Sequence, residues 1–83
     1  MQDVRFDRSV KILTGRFDTV SRHVETAVEA IEYLLDKWPQ EAGEKHRAAL
    51  TACLEVLEGD EEDDSVARKA FEEAAGEAGI KGQ

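Results

Sequence analysis

Cys53 and His46 are the side chains best equipped for nucleophilic or metal chemistry in this chain, and they lie seven residues apart. A reactive cysteine needs its thiol pKa lowered by a nearby cation, a helix N-terminus or a metal. Cys53 instead falls on an apolar stripe with Leu50, Leu54 and Leu57, in an acid-rich stretch. That setting predicts a small buried hydrophobe. A zinc centre needs about four nitrogen, sulfur or carboxylate ligands in a closed set. The chain has one cysteine and two histidines, His23 and His46, with no His-x-x-x-His spacing. No metal and no cofactor is therefore expected, and His23 is expected to be exposed on a strand.

Trp38, His46 and Arg47 form a second constellation. If the chain after Pro39 turns back tightly, His46 and Arg47 arrive beside Trp38. One reading is packing, by a cation–π contact or a buried, hydrogen-bonded imidazole. The other is a cleft lined by these three residues, which makes them the candidate binding surface. The run Asp60 to Asp64 invites comparison with a calcium loop. It lacks the alternating acids, central glycine and closing glutamate of an EF-hand. A solvated loop whose last acids favour a helix N-terminus is expected instead. Phe6 and Phe17 are interleaved with Arg5, Arg8, Lys11 and Arg16, a pattern that could suit nucleic acid. The acidity of the remaining chain argues against it. No Gly-rich phosphate loop, Gly-x-Ser-x-Gly elbow or His-Glu-x-x-His motif occurs, so no catalytic residue is assigned.

The charge balance sharpens these exclusions. The 83 residues carry a net charge of −8. Residues 1–23 hold five basic and three acidic side chains, and residues 24–83 hold six basic and sixteen acidic ones. An acidic body repels phosphate backbones and anionic lipid heads, so neither nucleic acid nor membrane is an expected partner. A single cysteine permits no intramolecular disulfide, which points to a reducing compartment. With no apolar core in the N-terminal segment and no apolar run near the length of about 18 residues needed for a span, a cytoplasmic location is expected.

The elements that position these residues follow from periodicity. Val4, Phe6, Val10 and Ile12 share one parity, which predicts a strand over 4–13 with one buried face. Arg8 interrupts that face, where a bulge is expected. Thr14-Gly15 offers a turn, and residues 17–24 suit a second strand, although Val20, Val24, Ala27 and Ile31 also fall at helical spacing. The hairpin is preferred because Thr26 and Glu29 make a strong capping box for a helix over 27–37, and because a first strand needs a partner. Pro39 stops that helix at Trp38. A second helix is predicted over 44–58 with Gly59 beyond its end. A third follows over 65–78, started by Asp64 or Ser65 and closed by Gly79 and Ile80. Lys81-Gly82-Gln83 are expected to fray. The resulting fold class is α+β, a two-stranded antiparallel hairpin against three helices, forming one domain over 1–83. The expected core is Phe6, Val10, Ile12, Val20, Val24, Ile31, Leu34, Leu35, Trp38, Leu50, Cys53, Leu54, Leu57, Phe71 and Ala74.

Several blocks of this pattern are similar to a bacterial family catalogued as domain of unknown function 982. They are Thr26-x-x-Glu29-Ala30 leading to Leu34-Leu35-x-x-Trp38-Pro39, His46-Arg47-x-Ala49, and Ala52-Cys53-Leu54 with Leu57-Glu58-Gly59. The closing Ala67-Arg68-x-Ala70-Phe71 with Glu77-Ala78-Gly79-Ile80 belongs to the same set. The similarity runs over about 20–80. It implies the element order and a small single-domain protein; it implies no activity. The expected function is a protein-interaction or regulatory module without catalytic activity. The alternative is a small-molecule binder or enzyme with a cleft near Trp38 and His46. A free edge on the first strand also predicts pairing of two copies into a homodimer.

Overall fold

Alternating apolar residues at the start of the chain and helical spacing beyond it produce the order β1 (Arg5–Thr14), β2 (Val20–Thr26), α1 (Ala27–Asp36), α2 (Glu44–Glu58) and α3 (Asp64–Glu77). The computed structural model describes residues 3–14, 20–36, 38, 43–60 and 62–82. The expected turn at Gly15, the start of the second strand at Phe17 and the stop at Pro39 lie outside these residues, as do the side chain of Val20 and the placement of Gln83.

The strands pair antiparallel, with Val10 opposite Val24 and Ile12 opposite Arg22. Residues 20–26 are strand, so the helical alternative for this stretch is not adopted. Phe6, Val10, Ile12 and Val24 are buried. Between the Arg5–Thr26 and Val10–Val24 pairs, residues 6–9 of β1 face the single residue Glu25 of β2. This irregularity falls where Arg8 interrupts the alternation. The surplus residues let Arg8 reach solvent while Phe6 and Val10 both point inward.

Helix α1 begins directly where β2 ends. The Glu29 N–H donates to Thr26 Oγ1 at 3.2 Å. The return bond of the expected box shifts by one residue: the Glu29 carboxylate accepts from the Glu25 N–H at 3.3 Å. Asp3 adds a second cap, its Oδ1 accepting from the Val28 N–H at 3.1 Å, and the Ala27 N–H donates to the Val4 carbonyl at 2.8 Å. Orphan N–H groups of the first turn are thus satisfied from the end of β2 and from the two residues that precede β1. Helix α3 is capped by Asp63 rather than by Asp64 or Ser65. Asp63 Oδ1 accepts from the Ser65 N–H at 2.9 Å and from its hydroxyl at 2.7 Å. Gly59 and Gly79 end α2 and α3 with φ of 86° and 75°. At the second, the Ile80 N–H donates to the Ala75 carbonyl at 3.0 Å, a Schellman ending that buries Ile80.

Small residues dominate the helix contacts. Ala27, Ala30, Ala49, Ala52, Ala67, Ala74 and Ala75 are buried with Leu34, Cys53, Val56 and Phe71. This corrects two core assignments: Leu35 is 63% exposed and Leu54 39% exposed. In α1 the buried line runs through Ala27, Ala30 and Leu34, so Leu35 turns about 100° towards solvent. In α2 it runs through His46, Ala49, Cys53 and Val56. Alanines at the centre of contact let the helices approach, and the larger Leu50 and Leu57 cover the flanks. Val66 of α3 is likewise exposed.

The C-terminal residues also depart from expectation. Lys81 bridges to Ile12, the Leu13 N–H donates to the Ile80 carbonyl at 2.7 Å and the Gly82 N–H to the Lys11 carbonyl at 2.8 Å. Residues 80–82 therefore lie along the outer edge of β1 instead of fraying. Burial of Ile80 supplies the anchor.

Candidate functional site

Trp38 follows α1, and His46 opens the inward face of α2. Their ring centroids are 5.6 Å apart in an edge-on arrangement, and Trp38 leans on Phe71 at 5.9 Å. These are favourable aromatic separations. His46 is buried, and its Nε2 lies 2.5 Å from the Leu34 carbonyl oxygen. A carbonyl only accepts, so His46 carries a proton on Nε2. The imidazole thereby joins the end of α1 to the start of α2. Arg47 points elsewhere: its side chain is exposed, and its backbone N–H bonds to the Gly43 carbonyl at 3.0 Å. The structure brings Trp38 and His46 together and leaves Arg47 on the solvent side of α2. Trp38 itself keeps partial exposure.

Cys53 is fully buried, and desolvation pushes its thiol up to about 12. A thiol in that environment holds its proton and is a poor nucleophile and a poor ligand. His23 is exposed on β2, with Nδ1 3.5 Å from Ser9 Oγ. Among the described residues no group of three or more His, Cys, Asp or Glu side chains is placed to hold a metal ion. The acid run divides its work: Asp63 caps α3, and the Ser65 hydrogen bonds hold its carboxyl below the usual range. Glu61 lies outside the described residues.

Sequence reasoning missed the most enclosed charge among the described residues. Arg68 is 4% exposed. Its Nε donates to Asp7 Oδ1 at 2.6 Å, and its Nη1 pairs with Glu72 one turn along α3. Lys81 approaches the other oxygen of Glu72 at 3.7 Å. Burial opposes the guanidinium charge, but the hydrogen bonds that Glu72 and Asp7 accept from it outweigh that cost and raise the Arg68 pKa. The network ties β1, α3 and the C-terminal segment. One signal was available: Arg68 precedes Phe71 by three and Ala75 by seven residues, which places it on the buried face.

The fold and these sites define a small ββααα protein in which aromatic and charged contacts link neighbouring elements. Residues 8–82 match the family described as "Protein of unknown function (DUF982)", and the chain belongs to that family. The match takes in most of β1, beyond the 20–80 span of the motif blocks. No curated protein and no solved structure shows a significant match. Among the described residues no helix is long and apolar enough to cross a membrane.

Proposed function

We propose that this protein is a protein-interaction or regulatory module of the cytoplasm, without a catalytic step of its own. The observation that carries this reading is the division of its side chains. His46, Cys53 and Arg68, the groups best suited to chemistry, are enclosed in internal contacts. Leu35, Leu54 and Val66 stand exposed on the three helices. Leu54 lies one turn before the end of α2 and Val66 in the first turn of α3, so both flank the same connection. Apolar side chains in an acidic rim suit a partner of mixed apolar and basic character.

Partner capture from the native cell tests this reading. The intact chain is expected to retain a partner that a Leu35→Glu, Leu54→Glu variant loses, with both proteins giving the same melt. Equal retention by the variant would overturn it. A second reading, a small-molecule cleft beside Trp38 and His46, draws support from the partial exposure of Trp38 next to the imidazole. A chemical-shift screen against metabolites separates the two. Localised shifts at Trp38 and His46 favour the cleft, and their absence favours the interaction module.

A further inference from the structure

We propose that the groove between β1 and the C-terminal segment binds the phosphoryl group of a small metabolite. The groove measures about 260 Å³ and is lined in part by Arg8, Ser9, Lys11, Glu72, Lys81 and Gly82. Three cationic side chains meet there in a chain whose net charge is −8. The one carboxylate among them is already engaged, since Glu72 pairs with the buried Arg68 and with Lys81. Among the described residues Arg8 and Lys11 form no ion pair. The lining therefore presents a local positive excess against the charge of the whole molecule.

The geometry also orders one of the cations. Gly82 packs so closely on Lys11 that a Cβ at Gly82 would fall 2.6 Å from Lys11 Cγ. The Gly82 N–H also bonds the Lys11 carbonyl at 2.8 Å. The Lys11 stem is thus held between strand and C-terminal segment, which lowers the entropy lost when its ammonium takes a ligand. Arg8 supplies a planar fork suited to phosphoryl oxygens, Lys11 and Lys81 supply point charges, and Ser9 contributes a hydroxyl. A dianion matches the excess better than a monocarboxylate. The volume lies slightly below the usual range for drug-sized ligands, which selects a small phosphorylated molecule. The acidic remainder of the chain repels a polyanion such as nucleic acid. This groove shares no residue with the Trp38–His46 pair and is independent of the interaction reading.

The test is a titration of the isotope-labelled full chain with inorganic phosphate, against sodium chloride at matched ionic strength. Saturable shifts are expected at the amides of Ser9, Lys11 and Gly82. Arg8→Gln and Lys81→Gln should each weaken the fitted affinity about tenfold while keeping the wild-type melt. Arg47→Gln, which alters a cation outside the groove, should leave it unchanged. Should one groove variant fail to fold, the other decides. Shifts that follow ionic strength without saturating, or an affinity unaltered in a folded groove variant, would overturn the proposal.

Discussion

Trp38 touches His46 and Phe71 at once, so it couples α1, α2 and α3 through one side chain. Trp38→Ala removes both aromatic contacts and leaves the His46 ring without its edge-on partner. Because Trp38 is half-buried, the expected cost is about 3 kcal/mol, the low end for aromatic truncations. For a chain this small that is a large part of the total stability. A fall of more than about 10 °C in the thermal midpoint is expected, and a melt within a few degrees of wild type would show the contacts to be idle. Cys53 makes a different prediction. With its folded pKa pushed up to about 12, the buried thiol should react with thiol reagents only after opening or unfolding. The linkage sign follows from that direction. An acid whose pKa is higher in the folded state contributes stability that is complete below its unfolded pKa, near 9, and lost as pH rises towards the folded value. Labelling of native protein as fast as of urea-unfolded protein would contradict this.

At the scale of elements, Arg68 joins α3 to β1 through Asp7 and stays on its own helix through Glu72. A buried ion pair tolerates joint replacement better than loss of one member, because a lone partner is left charged and desolvated. Asp7→Ala should therefore cost about 1–2 kcal/mol, reduced by the partial exposure of the carboxylate. Arg68→Met removes the desolvated charge itself and leaves Asp7 and Glu72, both partly exposed, to water, so it should stay closer to wild type. Urea titrations of both variants check the order, and the reverse ranking would refute it. The α3 cap adds a pH dependence. The Asp63 carboxyl is depressed by its bonds to Ser65, so its contribution is present above the unfolded carboxylate pKa and lost as pH falls through the lower folded value. Asp63→Ala should lower the melting temperature at neutral pH and leave that of the acid state unchanged.

At the scale of the whole molecule, the edge of β1 bears on the expected pairing of two copies. A two-stranded sheet exposes unpaired backbone on both sides. Here residues 80–82 already bond to Lys11 and Leu13 on the outer edge. A two-fold pairing of two copies is then confined to the irregular part of β1, residues 5–9, with Asp7 committed to Arg68. A homodimer of the kind expected from the free edge of the first strand would have that short stretch of β1 to pair through. Sedimentation equilibrium at tens of micromolar is the measurement. A species of twice the 9.2 kDa chain mass supports the dimer, and a single species at the chain mass removes it.

Periodicity and end signals were enough for the α+β class and the order of elements. Alternation specifies which way a strand faces, and Thr26, Gly59 and Gly79 mark helix ends through local backbone chemistry that needs no distant partner. The burial of Phe6, Val10, Ile12, Val24, Cys53 and Phe71 was legible for the same reason. The proximity of Trp38 to His46 was legible only as a condition on how the intervening chain turns. Three outcomes belonged to the tertiary structure. Alanine faces let the helices close in and rotated Leu35 and Leu54 outward. Arg68 became tolerable inside because Asp7, 61 residues away in sequence, came to meet it. The C-terminal residues found their hydrogen bonds on β1. Each depends on the relative placement of elements distant in sequence, and helical or strand period carries no record of which distant groups will meet.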